Sequence, residues 1–272
     1  MTASSPDLRA DADARPARVV LVTGGARRIG RALALGFAAQ GWDVGVHYRS
    51  SRTEAEQVVA EIEALGRRAV ALGADLSVER DVAQLVPACT EALGRPVCVV
   101  NNASLFAEDT AHDVGYDMLA VMMAVNVGAP LVLARELHDA TPDAARDDET
   151  LRGVVINLLD QKLYNLNPDY LSYTLSKAAL QTATVMLAQA LAPKLRVVGI
   201  APGLTLPSAY HTLEAFVDAH RVAPLGRSSR PEDIVAAACY LADARGVTGT
   251  TLIVDGGQHL VPLPRDVMFL TR

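Results

Sequence analysis

Short apolar runs alternate along this chain with longer segments in which apolar residues recur at a helical spacing. The runs at residues 18–23, 43–48 and 151–158 are rich in valine and isoleucine. Continuous runs of this kind are typical of strands that are buried on both faces of a parallel sheet. The alternation therefore predicts an α/β protein in which each strand is followed by a helix.

The strands are predicted at residues 18–23, 43–48, 68–73, 97–100, 151–158, 195–201 and 251–255. The helices are predicted at residues 31–40, 53–65, 78–93, 116–138, 172–191 and 208–220, and a last helix begins at Pro231, in the favoured first-turn position. At 272 residues, half of them hydrophobic, the chain can bury one large core. We expect one domain over residues 18–260, after a disordered lead-in at 1–17 and before an apolar tail at 261–272.

The first predicted strand runs into a glycine-rich turn that precedes a helix. Gly24 and Gly25 permit a tight bend, and Gly30 permits close approach of the backbone to the helix. A helix N-terminus in this position offers N–H groups and a partial positive charge to a pyrophosphate, so the segment is typical of a dinucleotide-binding turn. Arg28 fills a slot that commonly holds glycine and could put a cation beside phosphate or substrate. An ordinary glycine turn is the alternative.

The second strand ends in His47 and Tyr48 and is followed by Arg49, Ser50 and Ser51. Enzymes that use NAD usually carry an acid near the end of this strand, where it binds the ribose 2′-hydroxyl. No acid occurs between this strand and the next predicted helix. Arginine and serine side chains suit a 2′-phosphate instead, which favours NADP(H) over NAD. A solvated basic loop is the alternative interpretation.

Two further polar residues are open to more than one interpretation. Asp75 follows the third strand and could meet the adenine edge of a cofactor, or it could cap the helix at 78–93. Asn126 lies inside the apolar run of the helix at 116–138. A buried amide must find hydrogen-bond partners or cost stability, so Asn126 is either functional or a satisfied core amide.

Candidate catalytic chemistry lies in residues 157–177, which contain Tyr173-x-x-x-Lys177 and an acid, Asp160, thirteen residues before the tyrosine. Tyr173 and Lys177 share one helix face, and an ammonium beside a phenol lowers the phenol pKa from about 10 toward neutrality. Such a phenol can deliver a proton near pH 7. A chance match is the alternative, so the motif depends on the cofactor turn found elsewhere in the chain.

These motifs occur in the order found in short-chain dehydrogenase/reductases, and the resemblance covers residues 18–260. The matched positions are Thr23-Gly24, Asn101-Asn102-Ala103, Asn126, Tyr173 with Lys177, Pro202-Gly203 and Asp255-Gly256-Gly257. Two departures are informative: Asp160 replaces the usual serine and Arg28 the usual glycine. Pteridine reductases share both changes, together with a phenylalanine shortly after Asn-Ala-Ser, here Phe106, and with the His-Tyr pair. The chain therefore resembles pteridine reductases and the related bacterial dihydromonapterin and dihydrofolate reductases.

The resemblance implies a single Rossmann-type, doubly wound domain with a seven-stranded parallel sheet in the order 3-2-1-4-5-6-7. It implies NADPH-dependent hydride transfer to the C=N bond of a dihydropterin. Besides Tyr173 and Lys177, the implied cofactor-binding residues are Thr23, Gly24, Arg27, Arg28, Ile29, Gly30, His47, Tyr48, Arg49, Ser50, Ser51, Asp75, Leu76, Asn102, Ala103, Ser104, Pro202, Gly203 and Leu204. The implied substrate-binding residues are Arg28, Ser104, Phe106, Asp160, Tyr173, Leu204 and Tyr210.

The resemblance also implies catalytic roles. Tyr173 would donate the proton together with Asp160, while Lys177 would lower the pKa of Tyr173 and hold the nicotinamide ribose. Asn126 would hold a water on a proton relay behind Lys177. Phe106 would stack on the flat pterin, although a lone phenylalanine after a strand is more often a core residue. A carboxylate beside Tyr173 opposes Lys177, so Asp160 itself could titrate at a raised pH.

Other substrates remain open at this point. A ketone, a sugar or a 3-oxoacyl group would suit the same superfamily, but such reductases usually carry serine where this chain has Asp160. A protein that senses NADP(H) without turnover is a third interpretation, and the complete set of Asn126, Tyr173 and Lys177 argues against it.

Composition restricts the classes of binding partner and the cellular compartment that we expect for this chain. The net charge of −6 and the lack of a basic run argue against nucleic acid as a partner. We expect no apolar stretch that is long and clean enough to span a bilayer, and residues 1–17 lack the apolar core of a signal peptide. Three cysteines without metal or redox spacing fit a reducing cytoplasm, and no metal site is expected.

The tail at 261–272 is apolar and should bury its side chains somewhere. Members of the resembled family form homotetramers, and in some of them the C-terminus reaches a neighbour's active site. We therefore expect the tail at a subunit interface. Packing on its own subunit is the alternative.

Overall fold

A seven-stranded, fully parallel sheet forms the centre of the computed structural model, which describes residues 18–207 and 213–270. The strands are β1 (Val19–Val22), β2 (Asp43–Tyr48), β3 (Ala69–Gly73), β4 (Cys98–Asn101), β5 (Gly153–Leu158), β6 (Leu195–Pro202) and β7 (Thr251–Val254). Their order is β3-β2-β1-β4-β5-β6-β7, so the predicted fold class and strand order are confirmed. The expected lead-in at 1–17 and Tyr210 lie outside the described residues.

Helices connect the strands and cover both faces of the sheet. They are α1 (Arg28–Ala39), α2 (Arg52–Ala64), α3 (Glu79–Ala83), α4 (Leu85–Leu93), α5 (Tyr116–Met123), α6 (Ala129–Ala140), α7 (Leu171–Ala190), α8 (Leu213–Arg221), α9 (Pro231–Asp243) and α10 (Val267–Leu270). The single helix predicted at 78–93 is observed as two consecutive helices, α3 and α4.

The core lies in two layers, one on each face of the sheet. Val20 and Val22 of β1 pack toward α1 and α9 on one face, whereas Leu21 packs toward α4 and α6 on the other. Successive side chains of a strand point to opposite faces. Because helices cover both faces, every position of β1 is apolar and buried, which explains the continuous valine and leucine run.

The segment from Tyr116 to Ala140 is one continuous helix in which a π-helical turn, Ala124–Gly128, joins α5 to α6. By its 25 residues and a mean hydropathy of 1.8 over an 18-residue window, it is long and apolar enough to cross a membrane, contrary to the expectation from the sequence. Its apolar composition has a cause within the fold, because Leu133, Ala134 and Leu137 are buried in the sheet-facing core.

The fold brings the chemically interesting segments to one edge of the sheet. The glycine turn follows β1, the Asn102–Ser104 segment follows β4, and Asp160 follows β5. Pro202 ends β6 at the same edge. The carboxyl ends of parallel strands converge there, at the place where open α/β sheets bind their ligands.

Candidate active site

A cavity of about 510 Å³ opens at the carboxyl edge of the sheet. Predicted site residues that line it are Arg28, Ile29, Asn102, Ser104, Phe106, Asp160, Tyr173, Lys177, Pro202, Gly203 and Leu204. Leu206, which the sequence placed in a pocket loop, lines it as well. Residues that the sequence did not indicate also line it, namely Leu158, Leu159, Gln161, Lys162, Thr205, Gln258, Asp266 and Val267.

Asp160 and Tyr173 form a direct pair in this cavity. The Tyr173 hydroxyl donates to Asp160 Oδ2 at 2.7 Å, and the backbone N–H of Lys162 donates to Oδ1 at 2.8 Å. Burial raises the pKa of Asp160 above its usual value, against the lowering effect of those two hydrogen bonds. Burial and the Asp160 carboxyl together raise the pKa of Tyr173 well above 10. The pair therefore retains a proton at neutral pH and can donate it to a bound substrate.

Lys177 does not offset the rise in the pKa of Tyr173 in the structure. Its ammonium donates to the Leu158 carbonyl at 2.7 Å and lies 5.7 Å from the centre of the Tyr173 ring. Burial lowers the pKa of Lys177 to about 8. The expectation that Lys177 brings the pKa of Tyr173 toward neutrality is therefore wrong for this arrangement, because burial and Asp160 outweigh the lysine.

The start of α7 is held so that Tyr173 faces the cavity. Tyr170 takes a left-handed conformation just before the helix, with a φ of 55°. The buried carboxyl of Asp109 accepts hydrogen bonds from the Ser172 N–H, at 3.0 Å, and from the Ser172 hydroxyl. Two N-terminal groups of α7 are thus satisfied by a loop that is distant in sequence, a partnership that no local pattern indicates.

Asn126 lies in the π-helical turn and is bonded on every side by protein groups. Its side-chain oxygen accepts from the Leu105 N–H at 2.8 Å and from the Ser104 hydroxyl at 3.2 Å. Its amide nitrogen donates to the Leu105 carbonyl at 3.0 Å and to Ser176 Oγ at 2.9 Å. The side chain therefore joins the loop after β4 to α7. The satisfied-amide interpretation describes these contacts, and the water-holding role implied by the resemblance stays a prediction.

The turn between β1 and α1 has the geometry that a pyrophosphate requires. Gly24 has a φ of +61°, and a Cβ at Gly30 would stand 2.0 Å from the Gly24 carbonyl oxygen. The Asn102 side chain donates to the Thr23 carbonyl at 2.9 Å and thus ties the turn to β4. Among the described residues no side chain caps α1, so the first-turn N–H groups are available to an anion.

His47 supports this turn from behind. The Gly24 N–H donates to His47 Nδ1 at 3.0 Å, and His47 Nε2 donates to the Ala74 carbonyl at 3.1 Å. Burial lowers the pKa of His47 to about 4, so the ring is neutral in this role. The expectation of direct cofactor contact is corrected here, because both ring nitrogens are used to hold Gly24 against the end of β3.

The exposed end of β2 carries the side chains predicted for a 2′-phosphate. Arg49 and Ser50 are exposed and Ser51 is partly exposed. They follow the carboxyl end of β2, at the same edge of the sheet as the glycine turn. Asp75 Oδ1 accepts from the Ser77 N–H at 2.9 Å and from the Ser77 hydroxyl at 2.7 Å. The Asp75 carboxyl therefore closes a local turn before α3 and does not cap the helix, whose N-cap is Val78, while its contact with the adenine edge stays a prediction. Tyr48 is half-buried against Gly73, and Leu76 is buried in the core.

The two arginines of the glycine turn have different partners. Arg27 forms an ion pair with Glu54 of α2. Arg28 has a φ of 53°, the left-handed region that favours glycine, which explains why glycine is common in this slot. Its Nη1 donates to the Pro207 carbonyl at 2.9 Å, so the side chain bridges the cavity mouth toward the loop after β6. Such strain is typical of functional positions.

Aromatic rings form one wall of the cavity. Phe106 is 45% exposed, stacks on Tyr170 at 4.3 Å between ring centres, and meets the edge of Tyr173 at 4.7 Å. The core interpretation of Phe106 is wrong, because nearly half of the side chain is accessible. Buried Tyr170 in turn stacks on Phe269 of the C-terminal segment.

The C-terminal segment packs on its own chain. Arg265 binds the Asp169 carboxylate with both oxygens within 2.9 Å, and the Asp266 N–H donates to Asp169 Oδ2 at 2.7 Å. Val267 is buried, and both Asp266 and Val267 line the cavity of the same subunit. The alternative of packing on its own subunit therefore describes the observed contacts, while a role of the tail at a subunit interface stays a prediction.

Comparisons with known proteins agree with this geometry. Residues 24–259 match the family model described as enoyl-(acyl carrier protein) reductase. An uncharacterized oxidoreductase of Mycobacterium tuberculosis is 37% identical over 88% of this chain and 91% of its own length. The 3beta-hydroxysteroid dehydrogenase 1 of Eggerthella lenta is 33% identical over 90% of this chain and 95% of its own length.

A solved structure is similar over nearly the same span. It is FolM alternative dihydrofolate reductase 1 of Brucella suis in complex with NADP, which is 39% identical, covers 90% of this chain and 96% of its own length, and has a TM-score of 0.81. This likeness, with the turn around Gly24 and Gly30, confirms NADP(H) as the predicted cofactor. The fold, the cavity and the comparisons together establish that the chain belongs to the short-chain dehydrogenase/reductase family of oxidoreductases.

Proposed function

We propose that this protein is an NADPH-dependent reductase of a dihydropterin-type substrate, namely dihydrobiopterin, dihydromonapterin or dihydrofolate. The observation that carries the proposal is the hydrogen bond of 2.7 Å between Tyr173 and Asp160 in the cavity. A serine hydroxyl at position 160 would suit a substrate carbonyl. A carboxyl group can both accept and donate as its protonation changes, which suits a heterocycle that presents both N–H groups and ring nitrogens.

The aromatic wall supports a flat substrate. Phe106 is 45% exposed beside Tyr173, so a flat ring that packs against it would bury apolar area and add an aromatic contact. Arg28 reaches across the cavity mouth, where it can contact a carbonyl or an anionic group of the substrate.

Bound NADPH supplies the hydride. Tyr173 holds a proton on Oη, because burial and Asp160 raise its pKa, and it can give that proton to the substrate. Asp160, whose pKa is raised by burial, lies within hydrogen-bond distance of the same oxygen and can pass a proton from solvent back to it. Tyr173, Lys177 and Asn102 line the cavity, and Asn102 also donates to the glycine turn, so these side chains can orient a cofactor bound there. The FolM relative, which is named a dihydrofolate reductase, supports the same substrate class for this chain.

The test is NADPH oxidation with the three dihydropterin-type substrates and a panel of ketones and sugars. We expect turnover with a dihydropterin, loss of turnover in Tyr173→Phe, and a rise in KM for the pterin in Phe106→Ala with an unchanged Kd for NADPH. Tyr240→Ala, an exposed aromatic on α9, is the matched control and should leave both constants unchanged. Rapid reduction of a ketone with no pterin turnover would refute the proposal.

A ketone or sugar substrate is the second candidate. It is favoured by the similarity to the Eggerthella lenta enzyme, whose name gives a hydroxysteroid as its substrate. The same panel decides between the candidates. Tight NADPH binding without turnover of any compound would instead support a sensor.

We also propose that the chain assembles as a homotetramer. Apolar side chains remain exposed on α5 to α7, including Tyr116 at 90% and Met186 at 64%. An exposed apolar face of this kind is typical of a protein interface. Light scattering should give four times the mass of the chain, 28.8 kDa, and Met186→Asp should reduce that value. A monomer in the wild type would refute it.

A further inference from the structure

The C-terminal segment brings a second acid to the cavity. Asp266 lines the cavity that contains Asp160, although it comes from the last described part of the chain. The segment is fixed in place by the pairing of Arg265 and of the Asp266 N–H with Asp169. The position of Asp266 is therefore determined by several contacts, and it does not depend on a single flexible side chain.

The partner of Asp266 is a buried lysine. Lys162 is 3% exposed, and its ammonium donates to Asp266 Oδ2 at 3.0 Å and to Asn167 Oδ1 at 2.5 Å. It also lies 5.3 Å from the centre of the Tyr170 ring. A buried ammonium is costly unless it is paired, so Asp266 compensates the charge of Lys162. Only the backbone N–H of Lys162 contacts Asp160, while its charged end is directed to Asp266.

We propose that Asp266 is a positioning residue of the reduction, which compensates the Lys162 cation and thereby keeps the proton of the Asp160–Tyr173 pair available to the substrate. This inference rests on the proposed function for the substrate class. Asp266 acts on the Asp160–Tyr173 pair through its contact with Lys162 and through the electrostatic field of its own carboxylate. It does not itself need to transfer a proton.

The charged and titratable groups around Asp160 support the direction of this effect. Tyr173 and Lys177 face it from α7, Lys162 follows it in the chain, and Asp266 faces it from the C-terminal segment. Arg28 lines the same cavity from α1. Among these groups Asp266 raises the pKa of both Asp160 and Tyr173, whereas Lys177 lowers that of Asp160. Removal of Asp266 alone would take away this raising charge and would leave the buried Lys162 ammonium paired with the neutral side chain of Asn167 in place of a carboxylate.

The test is the pH dependence of kcat with the best substrate. Because Asp160 must carry a proton to return it to Tyr173, activity is lost as the pH rises through the raised pKa of Asp160. This loss of activity is the alkaline limb of the pH profile. In Asp266→Asn the limb should move to lower pH by about one unit, which is the pKa shift typically caused by one nearby charge. In Lys162→Met with Asp266→Asn both charges are absent, so the limb should return toward the wild-type position. Asp266→Glu should restore it as well.

Arg265→Gln is the matched control, since it weakens the anchoring of the segment but keeps the Asp266 carboxylate. It should lower stability without moving the limb. An unmoved limb in Asp266→Asn would overturn the proposal, as would an equal shift in the double variant and in Asp266→Asn. The double variant also keeps the proposal testable if Asp266→Asn alone fails to fold.

A second readout separates this proposal from the proposed function. The ¹³C resonance of the Asp160 carboxyl, assigned by comparison with Asp160→Asn in aspartate-labelled full-length protein with NADP⁺, reports its titration without any substrate. We expect the midpoint to fall in Asp266→Asn and to recover in the double variant. That result without pterin turnover would remove the pterin assignment and keep the role of Asp266. An unchanged midpoint would remove the role of Asp266 even in an active pterin reductase.

Discussion

Asp160→Asn should make the protein more stable at alkaline pH while it removes activity. Burial raises the pKa of Asp160 in the folded state above its value in the unfolded chain. Between these two pKa values the folded state binds more protons than the unfolded state, so the free energy of unfolding falls as the pH rises through that window. Asparagine cannot ionise, so the variant lacks the loss of stability that ionisation of the buried Asp160 causes.

The magnitude follows from this linkage. Each unit by which the pKa is raised costs about 1.4 kcal/mol at pH values above the window. The Asp160 carboxyl also accepts from Tyr173 and from the Lys162 N–H, and loss of one good acceptor costs about 1 kcal/mol. That cost is nearly independent of pH, whereas the ionisation penalty is not. The difference in Tm between variant and wild type should therefore grow from acid to alkaline pH, by about 4 °C per unit of pKa shift.

Thermal unfolding of both proteins by circular dichroism at about pH 4.5 and about pH 8 measures this difference. Asp169→Asn is the control of opposite sign. Burial alone would raise the pKa of Asp169, but Arg265 and the Asp266 N–H hold it below the usual value. Its contribution to stability is present at alkaline pH and is lost as the pH falls, so Asp169→Asn should destabilise most at about pH 8. A Tm difference for Asp160→Asn that does not change with pH would refute the reasoning.

Four further predictions concern the cofactor site. Gly30→Ala places a Cβ 2.0 Å from the Gly24 carbonyl oxygen, so a fluorescence titration should show NADPH binding at least about tenfold more weakly. A Cβ at Gly246 would meet open space, so the control Gly246→Ala should bind NADPH normally. His47→Leu leaves the Gly24 N–H without its acceptor, at a cost of about 1–3 kcal/mol in thermal or chemical unfolding. Wild-type NADPH affinity should show no step from His47 between about pH 5 and pH 8, because its pKa is about 4. Arg49→Ser should raise the Kd of NADPH about tenfold or more and leave that of NADH unchanged, and equal effects on both would refute a 2′-phosphate contact.

Local sequence determined the architecture of this protein to a large extent. The β1 run is apolar at every position because helices cover both faces of the sheet, and that pattern is visible without any tertiary information. Gly24 and Gly30 indicated the cofactor turn, since the missing side chain favours the positive φ of Gly24 and permits the close approach at Gly30. The order of the strands came from the family resemblance, because neither periodicity nor spacing determines which strands are neighbours.

The electrostatics of the site could be decided only by the tertiary structure. Lys162 and Asp266 are 104 residues apart in the chain, and Asp109 reaches Ser172 across 63 residues, so no local pattern pairs them. The direction of the pKa shift of Tyr173 depends on burial and on where the Lys177 ammonium points, and both result from packing. The sequence by itself determined which chemical groups gather at the carboxyl edge of the sheet. Packing decided which of them touch and which proton they retain, because desolvation and charge act over a few ångströms in space, whatever the separation along the chain.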